Sequence, residues 1–194
     1  MVNFDYQTPT RLIFGRGVVS EKLASVMNQY GKRVLITYGG GSIKRTAPGH
    51  DKSLYDLVKD TLTDKQVFEL GGIQPNPKFN PSVLDGVRMC QDNDIDVILA
   101  VGGGSVLDCT KAIAGVAGTL KTKVTDNVEE AWNIVCGRKP TTAAVPIVDI
   151  ITMAATGSEY DMGGVISRTE TNDKLAYFSK LVFPAVSFID PTYT

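Results

Sequence analysis

The stretch that decides the fold is Val97-Ile98-Leu99-Ala100-Val101-Gly102-Gly103-Gly104-Ser105, where an uninterrupted apolar run meets three glycines. An apolar run of this length, without polar alternation, predicts a strand that is buried on both faces. Residues 106–116 then predict a helix that is rich in small side chains. The unit is a strand, a glycine turn and a helix.

Other parts of the chain repeat this alternation. Short apolar runs predict strands at residues 33–37, 66–70, 143–147, 165–166, 175–178 and 186–189, with a polar hairpin tip at 168–174. Helical spacing of apolar residues predicts helices near residues 18–27, 54–62, 81–90 and 129–135. This alternation is typical of an α/β fold, here a Rossmann-like, doubly wound fold with a mainly parallel sheet. Residues 4–14, aromatic and branched but broken by Pro9, predict an N-terminal edge strand or hairpin.

The composition excludes several classes of function. The 194 residues carry 20 Lys and Arg against 21 Asp and Glu, and this net charge of −1 argues against nucleic acid or an anionic membrane as a partner. No apolar stretch approaches the ~18 residues of a membrane span, and the N-terminus lacks a secretion signal, so we expect a cytoplasmic protein. The length fits one domain over residues 1–194.

Residues that bind metals are scarce. The chain has one histidine, His50, and three cysteines, Cys90, Cys109 and Cys136, without CxxC spacing. These residues cannot build a multi-histidine or cysteine-rich metal site. We therefore assign no metal ligand to this chain, and expect any chemistry that requires such a site to take its ligands from elsewhere.

The glycine turn at residues 102–105 predicts a phosphate site. Glycines let the backbone approach a ligand, and the N–H groups at the start of the next helix point toward a phosphate placed there. The turn is not GxGxxG and lacks the Gly-Lys-Ser/Thr ending of a P-loop, since Lys111 lies well inside the helix. A nucleoside triphosphatase is therefore disfavoured, and the alternative is a tight turn without a ligand.

Two further clusters are expected at the same edge of the sheet. Gly39-Gly40-Gly41-Ser42 follows the strand at 33–37, where a dinucleotide-binding protein that prefers NAD carries an acid for the ribose. Here there is no acid and Lys44 and Arg45 follow, which favours a 2′-phosphate and hence NADP; a solvated helix start is the alternative. Residues 152–159 are rich in hydroxyls, which together with Lys174 suit phosphate or ribose, or form an ordinary turn.

Together these motifs resemble the iron-containing (group III) alcohol dehydrogenases, in the branch of NADPH-dependent butanol dehydrogenases and aldehyde reductases. The resemblance covers nearly the whole chain. It is carried by Tyr38-Gly39-Gly40-Gly41-Ser42-Ile43-Lys44, Gly72-Ile73-Gln74-Pro75-Asn76-Pro77, Ala100-Val101-Gly102-Gly103-Gly104-Ser105-Val106-Leu107-Asp108, Ala155-Thr156-Gly157-Ser158-Glu159 and Glu170-Thr171-Asn172-Asp173-Lys174-Leu175.

The resemblance implies a dehydroquinate-synthase-like cofactor domain that binds NADP(H). The cofactor-binding residues that it implies are Gly39, Gly40, Ser42, Asn76, Gly103, Gly104, Ser105, Asp108, Thr152, Thr156 and Lys174. The pyrophosphate would lie over residues 103–105 and Asp108 toward the nicotinamide. Two departures are Ala154, where proline is frequent, and Asp161, where asparagine is usual and whose carboxylate we expect to oppose phosphate binding.

The resemblance also implies groups that this chain lacks. In the family an aspartate and three histidines of a C-terminal helical domain hold Fe²⁺ or Zn²⁺. We therefore assign no catalytic residue to this chain, and expect it to bind NADP(H) weakly at best and not to turn over a small alcohol or aldehyde. An N-terminal edge strand can pair with a copy of itself, which predicts a homodimer through that strand. The alternatives are a stand-alone nucleotide-binding module, and a relative of glycerol dehydrogenase or dehydroquinate synthase, against which the segment at residues 38–44 argues.

Overall fold

The computed structural model describes Asn3 and residues 7–194. The strands of this part are β1 (Arg11–Phe14), β2 (Arg33–Tyr38), β3 (Gln66–Leu70), β4 (Val97–Gly102), β5 (Ile147–Ile151), β6 (Gly163–Arg168), β7 (Asp173–Phe178) and β8 (Val186–Ile189). The helices are α1 (Val18–Met27), α2 (Leu54–Thr61), α3 (Leu84–Asp92), α4 (Gly104–Thr119) and α5 (Val128–Val135). None of the helices described is long and apolar enough to cross a membrane.

Six strands form one parallel sheet in the order β1-β8-β5-β4-β2-β3. The chain passes from β2 outward to β3, and then returns across β2 to place β4 on its other side. The direction of winding therefore reverses between β2 and β4, which makes this gap the topological switch point of the sheet. The predicted doubly wound α/β fold is confirmed.

Strand β4 lies inside the sheet and is buried along its whole length. Val97, Leu99 and Val101 pack in the core that α1 and α2 cover, whereas Ile98 and Ala100 pack in the core beneath α3, α4 and α5. Each fully buried branched side chain contributes roughly 1.5–3 kcal/mol. The absence of polar alternation in β4 thus follows from burial of both faces, as the sequence predicts.

One strand lies later in the chain than its predicted position. The strand expected at residues 143–147 is β5, which begins at Ile147 and ends at Ile151. The segment before it packs against the end of α4: a Cβ on Gly118 would meet the Ala143 carbonyl carbon at 2.7 Å, and Thr119 Oγ1 accepts the Thr142 N–H. Proline at 146 has no N–H to donate to a ladder, so pairing starts after it.

Strands β6 and β7 form a separate antiparallel hairpin and do not extend the main sheet. The hairpin and its polar tip are confirmed, but the sequence gives no sign that they leave the sheet. β6 packs on α4, where a Cβ on Gly164 would meet the Cα of Asp108 at 2.9 Å. Strand β1 is the predicted edge strand and pairs only with β8 among the described residues; residues 4–6 of that prediction lie outside them.

Candidate functional site

Two glycine turns meet at the carboxyl edge of the sheet. β2 and β4 are neighbours in register, with Thr37 opposite Ala100 and Tyr38 opposite Val101. The turns at residues 39–42 and 103–105 therefore leave the same edge side by side, at the switch point. Open α/β sheets bind their ligands in this crevice.

The first turn of α4 presents unpaired backbone donors. The Gly103 carbonyl accepts the N–H groups of Val106 at 2.9 Å and Leu107 at 3.2 Å, and no side chain caps the helix. In the described part of the chain, the N–H groups of Gly104 and Ser105 have no acceptor. These donors and the positive end of the helix dipole suit an anionic oxygen, so the turn fits the phosphates of a nucleotide.

The turn after β2 leaves open space. A Cβ on Gly40 or Gly41 would meet no other atom within 4 Å. Gly39 is more constrained, because its carbonyl accepts the Gly72 N–H at 3.0 Å and a Cβ would lie 3.4 Å from the Ile73 carbonyl oxygen. This bond ties the loop that carries Asn76 to the glycine turn.

The hydroxyl-rich loop after β5 lies over the turn of α4. The Thr152 N–H donates to the Gly102 carbonyl at 3.0 Å, and a Cβ on Gly103 would lie 3.4 Å from Met153 Cβ. Thr156 Oγ1 approaches Gly104 still more closely. The structure thus brings the first and third predicted clusters together.

Asn76 and Lys174 meet although they come from distant parts of the chain. Lys174 Nζ, at the start of β7, donates to Asn76 Oδ1 at 2.7 Å. Asn76 has a left-handed backbone with a φ of 54°, which asparagine tolerates better than most residues. Together with Arg168 they line a depression of ≈ 280 Å³.

A second cavity of ≈ 210 Å³ joins the ends of β2 and β5. Ser42, Arg45, Thr152 and Tyr193 are among its lining residues. Lys44 lies elsewhere, since its ammonium packs 4.9 Å from the ring centre of Tyr38. Of the two basic residues after the glycine turn, the structure therefore places Arg45 beside the predicted site.

Asp108 is bound from two sides. Its carboxylate accepts the Ser158 hydroxyl at 2.8 Å and the Val165 N–H at 2.9 Å. Burial raises the pKa of Asp108, although both hydrogen bonds favour the ionised form. The side chain therefore fastens β6 and the preceding segment to α4, a role that the sequence did not reveal.

Lys111 is the residue of this region that sequence reasoning missed. It is fully buried and its ammonium pairs with Asp161 at 2.6 Å. The spacing of Gly104, Asp108 and Lys111 along α4 is that of one helix face, which is a signal that could have found it. Asp161, expected to repel phosphate, has its charge paired with a cation.

No metal site is formed by the described residues, where no group of three or more His, Cys, Asp or Glu side chains is placed to hold an ion. The residues present therefore do not fit a catalytic metal. They do fit a dinucleotide, because free N–H groups, open glycine positions and hydroxyls converge at the switch point.

Comparison with known families decides the affiliation. The model of the family described as iron-containing alcohol dehydrogenase matches residues 9–191. The chain belongs to the iron-containing alcohol dehydrogenase family. Its fold, a mostly parallel six-stranded sheet with helices, is that of the cofactor-binding part of this family.

Relatives within the iron-containing alcohol dehydrogenases differ in the cofactor that their names carry. The chain is 46% identical to a probable NADH-dependent butanol dehydrogenase of Bacillus subtilis and 40% identical to the NADPH-dependent aldehyde reductase YqhD of Escherichia coli. Each match covers 100% of this chain and 46% of the relative. The chain therefore spans about half the length of the curated relatives that it matches.

Solved structures of the family superpose on the chain. A butanol dehydrogenase of Thermotoga maritima, described as NADH-dependent, has a TM-score of 0.83 at 35% identity and covers 97% of this chain, which spans 44% of it. The Escherichia coli protein YqhD has a TM-score of 0.82 at 41% identity, over 99% of this chain and 46% of its own. The chain thus shares its fold with about half the length of each of these proteins.

Proposed function

We propose that residues 1–194 form the dinucleotide-binding domain of an alcohol dehydrogenase or aldehyde reductase that interconverts a small primary alcohol and its aldehyde. The observation that carries this proposal is the pair of glycine turns at the switch point, with the Gly104 and Ser105 N–H groups unpaired among the described residues. Membership of the iron-containing alcohol dehydrogenases supplies the reaction class.

Two groups of residues would contact the cofactor, at its pyrophosphate and at its nicotinamide end. The N–H groups of the α4 turn, over which Thr152 and Thr156 lie, would bind the pyrophosphate. Asn76 and Lys174 would bind the ribose next to the nicotinamide, since together they present an ammonium and an amide. When bound, the cofactor supplies or accepts the hydride. Asp108 would act at the nicotinamide end by holding β6 in place.

We further propose that the cofactor is NADP(H). Support comes from the end of β2, where residues 39–42 bring no carboxylate that would repel a 2′-phosphate. The cavity beside them is lined by Ser42 and by Arg45, whose guanidinium suits a phosphate. The names of the relatives include both cofactors and give no preference.

A further part of the proposal concerns the metal. Since the described residues offer no metal site, we propose that the metal ligands of the enzyme lie outside this chain and that the chain alone does not turn over. The family description names iron and not zinc. A cytoplasmic location and a homodimer through the edge strand β1 remain predictions, the second testable by sedimentation equilibrium.

Calorimetric titration of the chain with NADPH, NADH and ATP tests the proposal. We expect NADPH to bind, NADH to bind about tenfold more weakly, and ATP to bind more weakly than either. A tenfold ratio corresponds to a difference in binding free energy of only about 1.4 kcal/mol. A preference for ATP would instead support a stand-alone nucleotide-binding module. A preference for NADH would keep the domain assignment and overturn the NADP(H) specificity.

A parallel assay tests the absence of turnover. Oxidation of NADPH with butyraldehyde, with and without added Fe²⁺, is measured for the 194-residue chain. We expect no rate above the rate without protein. Turnover that depends on this chain would contradict the proposal that the metal ligands lie elsewhere.

A further inference from the structure

An ion pair with a buried ammonium joins helix α4 to the segment that follows the Thr156 loop. Lys111 Nζ donates to Asp161 Oδ1 at 2.6 Å, to the Gly163 carbonyl at 2.7 Å and to Ser158 Oγ at 3.1 Å. The side chain of Lys111 is fully buried, whereas that of Asp161 is 51% exposed. All three N–H bonds of the ammonium are thus used by acceptors within residues 158–163.

The need to fill the hydrophobic core does not explain why a lysine is buried at position 111. Burying an ammonium costs several kcal/mol before its partners offset the loss of water, and an apolar side chain of similar volume often fills such a space at equal or lower free energy. Lys111 lies instead where residues 158–163 offer it three acceptors, which are the side-chain oxygens of Ser158 and Asp161 and the Gly163 carbonyl. The pair is therefore suited to fix one conformation of that segment.

The pair also lies close to the proposed cofactor site. Asp161, Asp108 and Thr156 line one cavity of ≈ 190 Å³, together with Gly163 and Gly164. Lys111 is on the helix that begins at the phosphate turn, about two helical turns below Gly104. Without the ammonium, the carboxylate of Asp161 would be an unpaired charge at this cavity.

We propose that Lys111 and Asp161 are positioning residues of the dinucleotide site. Their ion pair, called here the α4 latch, holds residues 156–163 against α4 and neutralises the carboxylate of Asp161, so that Thr156 stays over Gly104. This proposal rests on the proposed function, because the latch acts on a cofactor site. It extends that function to residues that touch neither the glycine turns nor the predicted ribose contacts.

Hydrogen exchange of the chain without cofactor tests the latch by itself. The Gly163 N–H donates to Asp161 Oδ1 at 2.8 Å, so D161A is expected to speed the exchange of this amide and its neighbours. Asp161 is half exposed, and its loss removes no apolar side chain from the core beneath α4. D126A removes an exposed aspartate that bonds to none of residues 158–163; it is the matched control and is expected to leave these amides unchanged. Equal protection in D161A and the wild type overturns the latch.

A double-mutant cycle on NADPH binding tests its effect on the site. Calorimetry of K111M is expected to show affinity lowered about tenfold, because it leaves a free carboxylate and a loosened loop. D161N, which keeps an acceptor for Lys111, is expected to stay within about threefold of the wild type. K111M/D161N removes the unpaired charge and is expected to recover at least about half of the lost binding free energy.

The outcomes separate the latch from the proposed function. If K111M/D161N binds as weakly as K111M, the lysine acts through packing alone and the latch is overturned. If the wild-type chain binds no dinucleotide, the proposed function fails, and with it the role of the latch in binding. Should K111M fail to fold, the exchange result for D161A decides whether the latch exists.

Discussion

The hydroxyl oxygen of Thr156 lies 2.7 Å from the point where a Cβ atom on Gly104 would stand. Ordinary contacts of a Cβ are longer, so the loop after β5 approaches the first turn of α4 as closely as only glycine permits. The third glycine of the turn therefore serves packing as well as ligand access. This closeness couples the hydroxyl loop to the phosphate turn.

Replacement of this glycine tests the coupling. G104A is expected to weaken NADPH binding about tenfold, because the added methyl group displaces Thr156 and crowds the turn. Calorimetry measures the loss. In a T156A background the same change has more room and is expected to cost less than about threefold. Equal losses in both backgrounds would show that Thr156 plays no part.

The contact between Lys174 and Asn76 gives a second prediction. K174M removes the ammonium that donates to Asn76 Oδ1, and is expected to weaken NADPH binding about tenfold. Because Lys174 is exposed, the melting temperature should change little. The matched control is K180M, an exposed lysine that lines none of the cavities around the site. Similar binding by K174M and K180M would remove Lys174 from the site.

The burial of Asp149 predicts that the stability of the folded chain depends on pH. It is fully buried in β5, where one oxygen accepts the Ser187 hydroxyl at 2.7 Å and the other has no partner among the described residues. Burial raises the pKa of Asp149 well above its usual value. The folded state therefore favours the protonated acid, and its stability falls as pH rises from about 4, the usual value of an aspartate, through the folded pKa.

The variant D149N isolates this effect because it is neutral at every pH. Relative to the wild type, its melting temperature is expected to rise between pH 5 and pH 8. Calorimetric melting at several pH values measures the difference. A difference that stays constant over this range would show that Asp149 does not titrate on folding.

Asp96 predicts the opposite dependence. Hydrogen bonds from the Arg33 side chain and backbone lower the pKa of Asp96 to about 2. This stabilisation is complete above the unfolded pKa of about 4 and is lost as pH falls toward the folded value. D96N is expected to lose about 1 kcal/mol at pH 7, after allowance for solvent screening. In urea unfolding the difference between the two proteins should shrink as pH falls from about 4 and vanish only below about pH 2.

The parts of the fold that were predicted are those with local signals. The apolar run of β4 and its glycine turn specify a buried parallel strand and a helix start without further information. Residues 143–145 have the same local composition, yet packing against Gly118 and the missing N–H of Pro146 exclude them from β5. Such a choice depends on contacts with α4, which no local pattern carries.

The candidate site also contains parts that local sequence signals predict and parts that they do not. Glycines and hydroxyls at strand ends predict the turns that the structure brings together, whereas the partners of Lys111 come from a segment far along the chain. A lysine among small helix residues gives no indication of where its charge is neutralised. The sequence shows an aspartate at position 161, where asparagine is usual in the family, but it does not show that Asp161 pairs with Lys111.

The pairing of β1 with β8 constrains the order in which the molecule can assemble. These strands come from opposite ends of the described chain. Strand β1, in which Arg11 pairs with Val186, therefore has no partner strand until almost all of the described chain has been synthesised. Contacts of such long range form late and slowly. During translation, β1 with its exposed apolar residues Leu12 and Phe14 therefore has no strand to pair with. In this period the nascent chain is most accessible to chaperones and most prone to aggregation.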